Sequence, residues 1–336
     1  MMRSLRARRL LFQIGTGVLL FAALELVVRD LVPPPTLDRY RFARLAGADG
    51  LAWIGQQRDA GAFLDEAQRL LEPDARLIWR LRPDLDLEAS SLSLGARRAW
   101  RVHTSPDGFR DRPLAERPEG ETRVLAAGDS STFGWGVEDD ETWPAVLEGE
   151  LGDGWQVLNL AVPGYSALQG RLVVEELAPR LQADVVVAAF GANEGHMVLR
   201  TDAETLAGRS TTVGQARYAA SQLRLVQLGR AALFPVWAGG MQLGWQAGLA
   251  RPRVAPAAYE EALEDLARHA PRTILIDVCS RQEYGRVMRE LAETRPDVEL
   301  ISYKTVHGET LDGCHPTPAG QAALAGALAA LLEKAP

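Results

Sequence analysis

From residue 123 onward the chain alternates short, continuously apolar runs with segments of helical spacing, and no other feature limits its fold as tightly. The runs fall at 123–127, 156–160, 184–190, 273–278 and 298–302, and the clearest of them read VVVAAF and TILIDV. A strand apolar on both faces must be covered on both faces, which predicts a parallel sheet between two helical layers. Helices are expected between the runs: one opening at Thr142 with Pro144 just inside it, one capped by Ser166, and others over 256–269, 282–294 and about 318–332. The chain has 336 residues, 47% of them hydrophobic and 24% charged, which is enough for one large α/β domain and an appendage. A formal charge of −7 with scattered arginines argues against a nucleic-acid partner.

The appendage lies at the amino end. Residues 1–9 carry Arg3, Arg6, Arg8 and Arg9, and residues 10–28 are mostly apolar. At about 1.5 Å per residue such a helix spans a hydrocarbon layer of roughly 30 Å. The arginines should remain cytoplasmic, which places the rest of the chain on the extracytoplasmic side as a single-pass membrane protein. A cleaved signal peptide is the competing reading. Glu25, Arg29 and Asp30 stand where cleavage would fall, and they favour the anchor.

Pro33, Pro34 and Pro35 end the helix, and residues 29–74 read as a partly helical linker or stalk, with Phe42, Leu45, Phe63, Ala67, Leu70 and Leu71 at helical spacing. The main domain is expected over 75–336. Between Ala75 and Arg112 a β-hairpin is expected, turning near Gly95. Residues 196–255 read as a cap or lid. Trp237, Met241 and Trp245 there either form an apolar wall, rest on a bilayer or pack on the sheet.

In open parallel sheets ligands collect at the carboxyl ends of strands, so the residues just beyond each run carry weight. These are Gly128-Asp129-Ser130, Ala161-Val162-Pro163-Gly164, Gly191-Ala192-Asn193 and Asp312-Gly313-Cys314-His315. Ser130 is offered as a nucleophile on a glycine-rich turn, and His315 can take its proton. Asp312, three residues earlier, can hold the imidazole in the right tautomer. The Gly164 N–H and the Asn193 amide can face the oxygen of a tetrahedral intermediate, where one such donor is worth about 2.7–4 kcal/mol.

The blocks GDSSTFG, NLAVPG, GANE and DGCHP, in that order, resemble the SGNH (GDSL-type) hydrolase superfamily over residues 120–335. The resemblance implies a flavodoxin-like three-layer α/β/α fold with a five-stranded parallel sheet, and an ester hydrolase that needs no cofactor or metal. It puts a catalytic triad on Ser130, Asp312 and His315 and an oxyanion hole on the Ser130 N–H, Gly164 and Asn193. Ser131 stands where the family's name-giving leucine would be, and Glu194 replaces the commoner aspartate. The implied substrate is a carboxylic ester or an acylated carbohydrate. Acyl transfer to an envelope polysaccharide and non-catalytic carbohydrate binding are the alternatives.

Each residue also has a structural reading. Ser131 serves as turn former or helix cap, Asp129 bonds loop backbone, and Asn193 ties its own loop together. His196 and His307 lie near the same sheet edge, where they either touch substrate or are ordinary polar residues. Cys279 and Cys314 either pair, bracing the loop that carries His315, or remain buried thiols.

Overall fold

The computed structural model describes residues 2–33, 67, 69–89, 99–306 and 308–334. The stalk positions Phe42, Leu45 and Phe63, the turn at Gly95, and His307 lie outside the described residues. Helix α1 (Met2–Leu31) comes first. Its stretch Arg8–Leu31 is, among the described residues, the one helix long and apolar enough to cross a membrane. Its apolar side chains stand exposed, whereas Glu25 is buried.

Two small antiparallel pairs follow where one hairpin was expected. Strand β1 (Leu71–Asp74) pairs with β2 (Ile78–Leu81), and β3 (Asp86–Ala89) pairs with β4 (Trp100–His103). The expected hairpin holds for β3 and β4. The IWRL run instead turns back on residues 71–74, which the sequence reading had put in the linker. Ala67, Leu70, Trp79, Leu81, Leu87 and Trp100 are all buried in one core with the main sheet, so these hairpins are part of the body they pack against.

The body then alternates as expected. It runs β5 (Thr122–Gly128), α2 (Ser130–Phe133), α3 (Trp143–Leu151), β6 (Trp155–Asn159), α4 (Ala167–Leu181) and β7 (Val185–Ala189). An excursion of β8 (Met197–Val198), α5 (Asp202–Ser210), α6 (Thr212–Ser221), α7 (Arg224–Gln246) and β9 (Arg251–Pro252) closes on itself, since β8 pairs with β9. It is followed by α8 (Pro256–Leu266), β10 (Arg272–Asp277), α9 (Gln282–Thr294), β11 (Val298–Ser302) and α10 (Pro318–Leu332).

The five long strands form one parallel sheet in the order β6-β5-β7-β10-β11. Alternate residues of each strand feed two cores. Leu125, Leu158, Val186 and Leu275 face α4, α8 and α9, while Val124, Val157, Val187 and Ile274 face α3 and α10. This is a doubly wound α/β/α fold of flavodoxin-like order. Its strand order reverses between β5 and β7, which is where ligands enter such sheets.

Candidate active site

The loops after β5 and β7 meet at that reversal. Gly128 ends β5, and a Cβ there would strike the Thr132 side chain and come within 3.1 Å of the Ala189 carbonyl oxygen. Only glycine lets the chain turn this tightly from strand into α2. Asp129 caps α2, its Oδ1 accepting from Ser131 N at 2.9 Å and from Ser131 Oγ at 2.8 Å. Ser131 is thus buried in the cap, and Ser130 holds the partly exposed position at the first turn. As a first-turn residue, Ser130 has an N–H with no intrahelical partner.

The chain beyond β11 carries Asp312 and His315 to the same point. The His315 Nε2 lies 2.8 Å from Ser130 Oγ, and its Nδ1 lies 2.8 Å from Asp312 Oδ2. Burial would raise the Asp312 carboxyl, but its bonds to the His315 ring and to the His315 and Cys314 N–H groups hold it at about 2. An ionised carboxylate can only accept, so the His315 Nδ1 carries the hydrogen. Nε2 is therefore left with a lone pair facing the Ser130 hydroxyl. Cys279, just past β10, forms a disulfide with Cys314. The Trp135 ring stands 6.2 Å from the His315 ring and walls this side.

The Gly164 loop is held residue by residue. Val162 N donates to Gly128 O at 3.2 Å, tying the loop to the end of β5. Trp79 Nε1 donates to Pro163 O at 3.1 Å, Arg253 Nη1 to Gly164 O at 2.6 Å, and Asn193 Nδ2 to Tyr165 O at 3.1 Å. The Tyr165 hydroxyl returns a bond to Trp79 O at 2.8 Å. Gly164 has φ +78°, in the left-handed region that favours glycine. The carbonyls of Pro163, Gly164 and Tyr165 are thus pinned from outside, and the bond to Pro163 O fixes the peptide plane that carries the Gly164 N–H.

Asn193 meets the expectation of proximity and adds a complication. Its Nδ2 donates to Asp129 Oδ2 at 3.0 Å as well as to Tyr165 O, so both amide hydrogens are engaged. Beneath it lies a buried polar layer. Glu194 is fully buried, and its oxygens accept from Ala167 N and Gly191 N at 2.8 Å each. Burial pushes its carboxyl up to about 7, with the Asp129 charge adding to the rise. Arg253 is 2% exposed. Its Nε reaches both Asp202 oxygens, at 3.0 and 2.9 Å, and its Nη2 donates to Gln169 Oε1 at 2.7 Å.

Three residues that organise the site escaped the sequence reading. Arg253 and Asp202 look like surface charges in RPRVAP and RTDAE. Arg110 is buried and donates to the carbonyls of Phe133, Gly134 and Val137, shaping the glycine-rich turn after α2. The signal for Arg110 was its place in GFRD. For Arg253 and Asp202 nothing in the sequence marked burial. His196 joins the loop after β7 through its backbone, with its N–H on Asn193 O and its carbonyl accepting from Arg253 N.

With this geometry in place, the comparisons give the family. The model of the GDSL-like Lipase/Acylhydrolase family matches residues 126–323, more than half of the chain, and the protein belongs to that family. It is therefore an ester hydrolase by family. Among solved structures it is similar to TesA, at 18% identity over 63% of this chain and 98% of that one, with a TM-score of 0.42. It is also similar to Est24, a carbohydrate acetylesterase from Sinorhizobium meliloti, at 14% identity over 63% and 98%, TM-score 0.41. The psychrotrophic esterase EstA from Pseudoalteromonas sp. matches at 13% identity over 64% and 98%, TM-score 0.40. No curated protein matches the chain.

Proposed function

We propose that the protein is a membrane-anchored, extracytoplasmic carboxylic ester hydrolase whose nucleophile is Ser130. The observation that carries this reading is the continuous line of hydrogen bonds from Ser130 Oγ through the His315 ring to Asp312, each link 2.8 Å. The Ser130 oxygen attacks the acyl carbon while its proton passes to His315 Nε2. His315 then gives that proton to the departing alcohol. Water, deprotonated in turn by His315, attacks the acyl-serine and releases the carboxylic acid with Ser130 restored. Asp312 stays ionised throughout and stabilises the imidazolium. The Ser130 and Gly164 N–H groups and one Asn193 hydrogen receive the oxyanion.

One observation supports retention of α1 as an anchor, and a second supports an extracytoplasmic body, with residues 1–9 then in the cytoplasm. Glu25 Oε1 and Oε2 accept from Arg224 N and Leu225 N at 2.5 and 3.0 Å, and Arg29 reaches Gln222 O; a segment cleaved on export would leave these groups bare. The Cys279–Cys314 disulfide suits an oxidising compartment. The test of the reaction is Ser130→Ala in the full chain, assayed on short-chain nitrophenyl esters and with a fluorophosphonate probe. Hydrolysis should fall by at least about a thousandfold with labelling abolished. Parental turnover by this variant would refute the assignment.

A further inference from the structure

Among the described residues, α7 is the one long helix of the body that exposes several large apolar side chains. From Ala231 to Ala250 there is no charged residue. One side of α7 meets protein: Met241 is buried, and Gly244 packs against the Leu199 side chain. The other side is uncovered. Outside α1, the exposed large apolar side chains among the described residues are Val213, Leu233, Val236, Leu243 and Leu249. Four of these five lie on α7 or within three residues of its end. At 100° per residue Leu233, Val236 and Leu243 fall within one arc of about 80°, so they form an apolar stripe, and the nearest charge on the helix, Arg230, stands one turn before it.

The start of α7 is fixed to α1. Its N-cap residue, Leu223, offers no side-chain acceptor. The first N–H groups instead donate to Glu25, at 2.5 Å from Arg224 N and 3.0 Å from Leu225 N. This satisfies two needs at once. The orphan N–H groups of a helix start gain an anionic acceptor, and the acid within the apolar stretch of α1 gains partners at the positive end of a helix. Glu25 lies six residues before the end of α1, or about 9 Å by helical rise. Where α1 spans the membrane, α7 therefore begins at the depth of its last turns, inside the boundary of the slab.

We infer that α7 is a second membrane-seated helix: its Leu233–Val236–Leu243 face lies in the headgroup and acyl boundary of a phospholipid bilayer, keyed to α1 through Glu25. The partner is lipid, because the helix starts beside the span and carries no charge from Ala231 onward. Its far end packs through Gly244 on Leu199, six residues beyond Asn193, so the helix joins the bilayer to the loop that leaves β7. This inference rests on the anchor reading of α1.

The experiment uses the full chain in phosphatidylcholine vesicles, with an NBD fluorophore on Val236→Cys or Leu243→Cys. The native cysteines are paired and do not take the label. Leu19→Cys at the middle of α1, read with a deep doxyl-labelled lipid, and Glu261→Cys at an exposed position of α8 serve as references. A helix seated some 5–10 Å into the boundary should be quenched at least about twofold by a shallow doxyl-labelled lipid at Val236 and Leu243, with iodide excluded. Glu261→Cys should show the reverse. Quenching at Leu19 but not at Val236 or Leu243 overturns the inference and leaves the anchor standing. Shielding of Val236 and Leu243 from iodide without lipid quenching means that a second protein copy covers the face, which also overturns it. Loss of quenching at all three positions removes the anchor together with the inference; lipid quenching at Val236 and Leu243 alone removes the anchor and overturns the keying of α7 to it through Glu25.

Discussion

Removing the Cys279–Cys314 disulfide separates two ways in which a covalent brace can act. The bond joins residues 35 apart, with Cα atoms 5.2 Å apart, and Cys314 directly precedes His315. In the chain-entropy account, closing a loop of this size restricts the unfolded chain by about 13 cal/mol/K, or ~4 kcal/mol at 25 °C. For a body of this size that lowers Tm by roughly 8–16 °C. The folded loop has bonds of its own. Leu311 N donates to His315 O at 2.7 Å, Thr317 N to Glu309 O at 2.9 Å, and Gly313 N to Thr310 Oγ1 at 3.0 Å. At about 1 kcal/mol net each, these bonds keep the loop closed in well over nine molecules in ten without the disulfide. The paired substitution Cys279→Ala and Cys314→Ala, or reduction, should therefore lower Tm by about 10 °C. The kcat on a nitrophenyl ester at 25 °C should change by less than about twofold. Tm by calorimetry and initial rates on the same preparation are the assay. A collapse of kcat with Tm unchanged would refute the reasoning, because the brace would then be acting on the native loop rather than on the unfolded chain.

Two further outcomes follow from the buried layer. Arg253→Met strips a buried carboxylate of its partner, leaving Asp202 with the Ser166 hydroxyl at 2.6 Å; it should cost about 3–5 kcal/mol by urea unfolding. Because it also frees the Gly164 carbonyl, kcat should drop, up to the roughly hundred- to thousandfold loss of a whole oxyanion donor, with KM moving less. Arg253→Lys should recover part of the stability but not the rate, and a parental kcat in the Met variant would sink the positioning role. The second outcome concerns Glu194, raised from the usual 4.5 to about 7. Between these values the folded protein holds a proton that the unfolded chain has released, so stability falls as pH rises from about 4.5 to 7, by ~3 kcal/mol. Urea midpoints at pH 5 and pH 8 should show this fall, with a smaller one in Glu194→Gln; an identical slope in both proteins would dispose of the claim.

The parallel sheet was legible because strands buried on both faces keep uninterrupted apolar runs, VVVAA in β7 and ILI in β10. Thr142, Ser166 and Pro318 marked helix starts for the same local reason: caps and prolines act within one turn. Ser130 was legible from its place at the end of β5, and Asp312 and His315 from the DGCHP block, which begins ten residues beyond β11 and reaches Ser130 through the loop that carries it. The β1–β2 pair was not legible, since β1 is half-buried throughout and shows no alternation. Arg253, Asp202 and Arg110 were hidden for a different reason. A charged residue reads as solvated until its partners are known, and theirs lie 9 to 89 residues away along the chain.

The engagement of both Asn193 hydrogens has an order that the neighbours decide. One is held by Asp129, whose fully buried carboxyl burial pushes upward and whose bonds to Ser131 pull back down. Taking that hydrogen away would strip a buried acid of one of its three donors, which is among the costlier losses in a protein interior. The other is held by the neutral Tyr165 carbonyl, and a neutral acceptor gives up a donor at less cost. In the mechanism proposed above, the hydrogen that Asn193 would offer an oxyanion is therefore the one on the Tyr165 side, while Asp129 keeps the amide plane oriented. On this account Asp129 acts as the fixed hinge of the amide that the proposed mechanism uses, and it is held in place by the same asparagine it aims.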